Sequence, residues 1–417
     1  MGQSNLTPQS AGRSFGRNES QELNIPAKLT FLYVNIGRGH PFYLDGINDA
    51  LIRQGKVGVV RSTEDALEVS RGLSGQAWKL VHWLYRHGAS PGPVSRLYGL
   101  LRSSNDYNRD TLGLSMLGRS LRKQFLDRPQ PLVVSHPILV GLFRNRPQLY
   151  YQHGELVAPP ESMVSGAELV FVPTDEVAEK FLAGGYNQSA VYVSGLCIEP
   201  ALVKQASDAF SLRKTRLASS EPLTGAFYSS GAEPALHVEA IVNGALSLSR
   251  GETRAIIFAE EGRKLSSRLQ RAFAQAEIPL GRISAADSIP AELPRLLLVE
   301  YRSRREEAVL TARLFPSFDF FVAPAHERSH WAAGLGLPMF ILEPCIGPFA
   351  PLNRELLLRH KVAFDLTSHE HVISLSERVN SLWHRGELAH MAENGWGKYR
   401  IDGFAQIADL LHRRCTE

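Results

Sequence analysis

Along most of the chain, short apolar runs alternate with segments whose apolar positions recur every three to four residues. The stretch 29–55 shows the unit: a hydrophobic strand over 29–36 passes through Gly37-Arg38-Gly39-His40 into a helical pattern carrying Leu44, Ile47 and Leu51, which ends at Gly55. Further strands are predicted over 57–62, 131–136, 148–153, 168–174 and 190–195, and a helix over 175–183 with Val177 and Phe181 inward. Several of these strands are continuous apolar runs, as parallel strands covered on both faces require. A polar stretch, 204–222, reads as a linker or a solvated helix. The alternation then restarts, with strands predicted over 223–229, 254–259, 295–301, 318–323, 338–342 and 362–366, and helices over 234–248, 265–274, 304–314, 353–360 and 369–384. The last stretch, 388–414, is an amphipathic helical pattern with Trp396 and Tyr399 that can cross back onto the first half.

Two successive βα series in one chain predict an α/β protein of two doubly wound, Rossmann-like domains facing a central cleft. The expected boundaries are 28–203 and 223–385, joined by the linker 204–222 and followed by a helical segment over 386–417. Residues 1–27 are rich in Ser, Gln, Asn and Gly without an apolar core, and read as a disordered leader rather than a signal peptide.

Composition narrows the function classes. With 417 residues, 44% hydrophobic and 21% charged, the chain is long enough for two ordinary cores. A net charge of +4, with no arginine-rich or aromatic-interleaved motif, argues against a nucleic-acid partner. It is compatible with docking on an anionic membrane surface. The three cysteines, Cys197, Cys345 and Cys415, have no metal-ligand spacing, which fits a reducing cytoplasm and no structural zinc. No run of about 18 apolar residues suggests a membrane span.

The glycine turn at 37–40 brings backbone N–H groups and a helix start toward an anionic ligand. It lacks the third glycine of the dinucleotide fingerprint and offers instead a histidine, His40, suited to general-base work near neutral pH. His136 and His153 fall at predicted strand ends on the cleft side, followed by Glu155, a candidate to orient a histidine or act as base itself. At the first strand end of the second half, Ser229, Ser230 and Gly231 precede a helix start and form a candidate phosphate cradle, with Arg263 at the next strand end. No Asp-x-Asp motif occurs, so helix dipoles and cationic side chains rather than a metal are expected to carry charge on a leaving diphosphate, and no cofactor is expected.

These segments resemble the GT-B glycosyltransferases, and within them glycosyltransferase family 28, which includes the galactolipid synthases and the enzyme completing peptidoglycan lipid intermediates. Gly37-Arg38-Gly39-His40 resembles the family's G-G-H turn, and Val133-Val134-Ser135-His136-Pro137-Ile138-Leu139 resembles a V-S-x-H-P-L segment. Val172-Pro173-Thr174-Asp175-Glu176-Val177-Ala178, then Val191-Tyr192-Val193-Ser194-Gly195-Leu196, resembles P-S-x-E-V-A … I-R-V-x-G-L-P. Gln152-His153-Gly154-Glu155 resembles a permuted H-E-Q-N segment.

The resemblance implies a GT-B fold and transfer of a sugar from a nucleotide-sugar, a UDP-sugar, to a lipid or other hydrophobic acceptor, inverting and metal-independent. It implies His40 and Glu155 as catalytic residues, and an acceptor site at Gly37, Gly39, His136 and His153. On the donor side it implies Ser229, Ser230, Gly231, Arg263, Tyr301, Glu327, Arg328, Ser329 and Asn353. The segment 76–102, with Trp78, Trp83 and Tyr85 among Lys79, Arg86, Arg96 and Arg102, falls where the family faces a membrane, which implies a peripheral position on the cytoplasmic membrane face.

The second half departs from the family pattern. Gly336-Leu337-Pro338 is present, but Trp331 falls where the family has its ribose-binding acid, and no Gln precedes Asn353. Either Glu327 or Glu343 takes the ribose, or donor binding has been lost. The alternative function is therefore an inactive family-28-like protein serving as a partner subunit or a nucleotide- or lipid-binding protein.

Overall fold

The computed structural model describes residues 28–35, 39–88, 106–144 and 146–416. Residues 1–27, expected as a leader, Gly37 and Arg38, and 89–102 of the segment expected to face a membrane lie outside the described residues.

Two all-parallel sheets carry the fold. The first has six strands in the order β2-β1-β3-β4-β5-β6: β1 Leu29–Tyr33, β2 Val60–Asp65, β3 Leu132–Val134, β4 Leu149–Gln152, β5 Leu169–Val172 and β6 Val191–Val193. The second has seven in the order β13-β12-β11-β7-β8-β10-β9: β7 Thr224–Tyr228, β8 Arg254–Glu260, β9 Gly281–Ile283, β10 Leu296–Tyr301, β11 Phe320–Ala323, β12 Met339–Leu342 and β13 Ala363–Leu366. Most central strands are apolar on both faces because helices cover both. Thus Phe31 packs toward the helix Gly39–Arg53 and the last helix, Gly403–Thr416, while its neighbour Leu32 packs toward Trp78, Leu121 and Phe125 on the other side.

Structure and pattern differ at a few places. The stretch 204–222, expected as a linker or a solvated helix, holds the helix Ala206–Leu217, which is fixed to the second sheet by a fully buried Arg213. Its guanidinium donates to the carbonyls of Phe318, Leu335 and Gly336 at 2.9–3.1 Å. Edge strand β9 was not in the predicted pattern, and the predicted helix 369–384 is broken at Ser374 into His369–Ile373 and Leu375–His384. The helix expected from Asn353 begins four residues earlier, at Phe349, with Pro351 in its first turn, where a missing N–H costs nothing.

The two sheets share packing. Leu156, Val157, Leu196 and Ile198 of the first half join the core around β11 and Trp331. The chain end returns to the first sheet: Leu196 and Arg400 pair through their backbones at 2.7 Å, and Phe404 lies where a side chain on Gly46 would stand, so the two helices touch at a glycine. Asp45 and Arg304 form an ion pair at 3.0 Å between the helix Gly39–Arg53 and the helix Arg304–Leu314.

Candidate active site

Near the middle of each sheet the strand order reverses, between β1 and β3 in the first and between β7 and β11 in the second. Loops leaving the carboxyl ends of the strands beside such a point diverge and open a crevice for ligand. Both crevices open into one cavity of about 350 Å³. Gly39 and His40 follow β1, His136 follows β3, Ser229, Ser230 and Gly231 follow β7, and His326, Glu327 and Arg328 follow β11, and all of them line it. Glu155, beyond β4, and Phe349, beyond β12, also line it.

The first-sheet side presents two histidines and a carboxyl. His40 opens the helix Gly39–Arg53, and its Nδ1 lies 2.7 Å from the Ser135 carbonyl oxygen. His136 is the N-cap of the helix Pro137–Phe143, its Nδ1 accepting from the Ile138 N–H at 3.1 Å. The two rings lie 4.3 Å apart between centroids, tilted by 50°. Glu155 is buried against Gly39, where an added Cβ would sit 3.3 Å from its Oε1. Burial, and then the charge of Glu327, lift its pKa to about 7, opposed by hydrogen bonds from Asn353 and Tyr43. A carboxyl so placed is poised between acid and base near neutral pH.

His153 stands behind this wall instead of in it. Its Nε2 donates to the Val157 carbonyl at 3.0 Å, and its Nδ1 faces the Tyr151 hydroxyl at 3.3 Å. Burial pushes its pKa down to about 3, so it is a neutral core histidine with Phe349 and Phe181 against its ring.

The second-sheet side has Ser229, Ser230 and Gly231 at the end of β7, just ahead of the helix Ala235–Ser249. Arg263 does not line the cavity. It donates to the Gly231 carbonyl at 2.8 Å and to Glu260 at 3.1 Å, with Glu233 3.7 Å away, and so braces the loop from behind. Glu233 in turn accepts the Leu265 N–H at 3.3 Å at the start of the helix Lys264–Gln275. Arg328 does line the cavity. It is 4% exposed, rests on the Tyr228 ring at 4.1 Å, and is ion-paired with Glu307 and with Glu327, the latter at 3.2 Å.

Asn353 is fully buried behind the cavity, donating to the Ala325 carbonyl at 3.0 Å and to Glu155 at 3.4 Å, so it ties the two sheets together. Ser329 is fully buried one residue beyond the lining loop, and Tyr301 packs on the core at the end of β10; neither reaches the cavity. Trp331 is also core: its ring meets Tyr228 edge-on, and its Nε1–H donates to Glu199 at 2.9 Å. Glu343 is held by Arg354 at 3.0 Å and by the Cys345 N–H at 2.7 Å, outside the cavity.

The rest of the wall is largely apolar. Trp78, Val81 and Leu84 come from the helix Gly72–Gly88, and Leu114 and Leu117 from the helix Leu112–Phe125. Trp78 belongs to the segment singled out in the sequence, and its indole N–H donates to the Leu117 carbonyl at 3.1 Å. Asp106, Tyr107 and Thr111 also line the cavity, but they lie between elements, where periodicity carries no signal. Among the described residues no helix is long and apolar enough to cross a membrane, and no three His, Cys, Asp or Glu side chains gather as a metal-ligand set.

No protein-family model matches the sequence, and no curated protein does. Solved structures do match the fold. MnaA of S. aureus, in a co-structure with UDP, shares 11% identity over 94% of this chain and 96% of that one, with a TM-score of 0.53. The UDP-GlcNAc 2-epimerase of Neisseria meningitidis, bound to UDP-GlcNAc, shares 13% identity over 93% of this chain and 100% of that one, with a TM-score of 0.52. CalG4, the calicheamicin glycosyltransferase, shares 12% identity over 93% of this chain and 99% of that one, with a TM-score of 0.50. Identities this low speak for the fold, and the fold is GT-B: two Rossmann-like domains with their strand ends turned toward one cleft.

Proposed function

We propose that this chain is a glycosyltransferase that moves a sugar from a UDP-sugar to a lipid or other hydrophobic acceptor, inverting and metal-independent. One arrangement carries the reading: His40 and an apolar wall of the first sheet share a single cavity with the β7 loop and Arg328 of the second. The bound UDP and UDP-GlcNAc in the S. aureus and Neisseria structures of the same fold support a nucleotide-sugar as donor.

In this reading the donor diphosphate lies against the backbone N–H groups at Ser229, Ser230 and Gly231 and the start of the helix Ala235–Ser249, with Arg328 beside it. The sequence left Glu327 and Glu343 as rivals for the ribose; Glu327 lines the cavity and takes that role. The acceptor's apolar part lies along Trp78, Val81, Leu114 and Leu117. Its O–H proton passes to His40 as its oxygen bonds to the sugar carbon. The bond from that carbon to the diphosphate breaks, and its electron pair leaves on the diphosphate. Glu155, close to neutrality, adjusts its charge as the phosphates enter.

Leu73, Leu80 and Trp83 on one wall helix, and Leu112 and Met116 on the other, are exposed apolar side chains. They support an acceptor drawn from a lipid surface, on the cytoplasmic face of an anionic membrane. The alternative of a non-catalytic binding protein or partner subunit has its own observation: Arg328 and Arg263 are both already ion-paired with protein carboxylates.

A thermal-shift panel of UDP, GDP, ADP and TDP with their sugars tests the reading. Stabilisation by UDP and a UDP-sugar is the expected result, amounting to about 2.7 kcal/mol at 100-fold excess over Kd. No stabilisation by any nucleotide would overturn it. Binding without UDP release in the presence of lipid vesicles would favour the non-catalytic alternative.

A further inference from the structure

We propose that Glu307 is a positioning residue of the donor site, an assignment that rests on the reading above: it holds the Arg328 guanidinium in place while a diphosphate displaces Glu327, the second partner of that arginine, toward the ribose.

Arg328 sits between two carboxylates of different standing. Glu307 lies in the first turn of the helix Arg304–Leu314, where the helix dipole favours a negative charge. It is 2% exposed, does not line the cavity, and is ion-paired with Arg328 Nη2. Glu327 comes from the loop between β11 and the short helix Ser329–Gly334, lines the cavity, and meets Arg328 Nη1 at 3.2 Å. The arginine itself has little room to move. Its guanidinium rests on the Tyr228 ring at 4.1 Å and lies 5.4 Å from the centre of the Trp331 ring. The Tyr228 hydroxyl is bonded in turn to the Thr311 hydroxyl at 3.0 Å, one helical turn beyond Glu307. One helix therefore holds both the cation and the ring beneath it.

The plain alternative is a structural ion-pair network. A single carboxylate neutralises a buried guanidinium, and Glu307 supplies it. With Glu327 added, three buried side chains carry one negative charge in excess, which burial penalises. A further carboxyl, Glu155, shares the cavity wall, and the Glu327 charge acts on it. Glu327 is thus the less secure partner, opposed by another acid and placed on the side from which a ligand comes. Arg216 gives the contrast: it is paired with one carboxylate, Asp319, at 2.7 Å, and neither residue lines the cavity.

An anion entering the cavity therefore meets a guanidinium that Glu307 holds from outside the cavity and Glu327 covers within it. Phosphate oxygens replace the Glu327 carboxylate on Arg328, so one charge-assisted bond is exchanged for another. The displaced carboxylate accepts from the ribose hydroxyls. No covalent bond changes in this exchange. Without Glu307, a ligand would have to break the last ion pair of a buried cation, which is the cost that Glu307 removes.

Calorimetric titration of the full chain with inorganic pyrophosphate, uridine and UDP tests the exchange. Glu327→Gln removes the competitor for Arg328 and weakens the ribose contact. Pyrophosphate is therefore expected to bind about 3–10-fold more tightly than to the wild type, and uridine about 3–10-fold more weakly. A purely structural role does not move the two ligands in opposite directions. Shifts of the same sign, or no shift, would overturn the proposal. Glu307→Ala leaves Arg328 paired with Glu327 and is expected to fold, with UDP affinity lowered about 10-fold and uridine within twofold. Glu307→Gln keeps an acceptor oxygen at that place and is expected to lie between Glu307→Ala and the wild type. Unchanged UDP affinity in a folded E307A, or equal losses for UDP and uridine, would overturn the proposal too. If Glu307→Ala does not fold, the opposite shifts in Glu327→Gln decide. UDP binding by the wild type with both variants indistinguishable from it removes this inference alone. Binding of neither UDP nor pyrophosphate by the wild type removes the donor-site reading, and the inference with it.

Discussion

The Asn353 amide, from the second sheet, donates to the Glu155 carboxylate, from the first, at 3.4 Å, within a buried contact where the Glu327 charge also acts on Glu155. Joining the domains through a carboxyl with a pKa near neutrality makes their union sensitive to pH. The folded pKa of about 7 stands above the ordinary 4.5. Glu155 therefore contributes stability that is fully present below about pH 4.5 and lost as pH rises through 7. A shift of that size is worth roughly 3 kcal/mol. The difference in unfolding free energy between Glu155→Gln and the wild type is expected to grow in the variant's favour by about 2–3 kcal/mol from pH 5 to pH 8. Denaturant titrations across that range measure it, and a difference independent of pH would contradict it.

Buried neutral histidines act in the opposite direction. His153 is held down to about pKa 3, and His237 and His330 to about 4, by burial. Their folded values lie below the unfolded value of 6.5, so the stability they allow is present above pH 6.5 and lost as pH falls toward 3–4. His153→Gln is expected to blunt the acid loss between pH 6.5 and 4 by roughly 3 kcal/mol, while leaving UDP affinity within twofold. A large loss of UDP affinity in a folded H153Q would return His153 to the binding wall.

Trp331 fills the core where the resembled family places an acid. Its indole is 1% exposed, packed on Tyr228, Phe315 and Phe321. Trp331→Phe is expected to cost about 2–3 kcal/mol through the smaller ring and the lost bond to Glu199. Trp331→Glu buries a carboxylate among apolar rings and is expected to cost more than about 4 kcal/mol without creating a ribose site. Thermal unfolding with and without UDP checks both. A stable W331E with improved UDP affinity would show that position 331 faces the ligand.

Arg263 reaches the site through the Gly231 carbonyl. Arg263→Ala is expected to weaken UDP binding about 5–20-fold, by loosening the loop whose N–H groups are proposed to hold the diphosphate. The affinity for uridine, which carries no phosphate, is expected to stay within twofold. Calorimetric titration of both ligands separates the cases, and equal weakening of the two would mean the variant had lost more than the loop.

The pattern of apolar runs made most of the fold legible because parallel strands buried on both faces leave uninterrupted signatures, as in 254–260 and 296–301. Edge strand β9 has three residues, two of them accessible, too short and mixed to stand out from a loop. Candidate residues at strand ends were legible as positions that the fold gathers: His40, His136, Glu155, Glu327 and Arg328 line one cavity although they are scattered over 289 positions (40 to 328). Sequence position gave no means of separating His136 from His153, because both follow apolar runs. What separates them is depth, since His153 has Val157 and Phe181 closed around it. Arg263 is held behind the β7 loop by Glu233 and Glu260, partners that only the fold brings together.

In the proposed reaction His40 takes a proton from an acceptor hydroxyl in a cavity that also holds a UDP-sugar. Single-turnover release of UDP from UDP-glucose, with water or 1-octanol as acceptor, compares the wild type with His40→Ala most directly. The predicted result is a rate lowered about 10²–10⁴-fold in the variant, with UDP affinity within twofold of the wild type. An unchanged rate in H40A, or no UDP release and no UDP binding by the wild type, would contradict it.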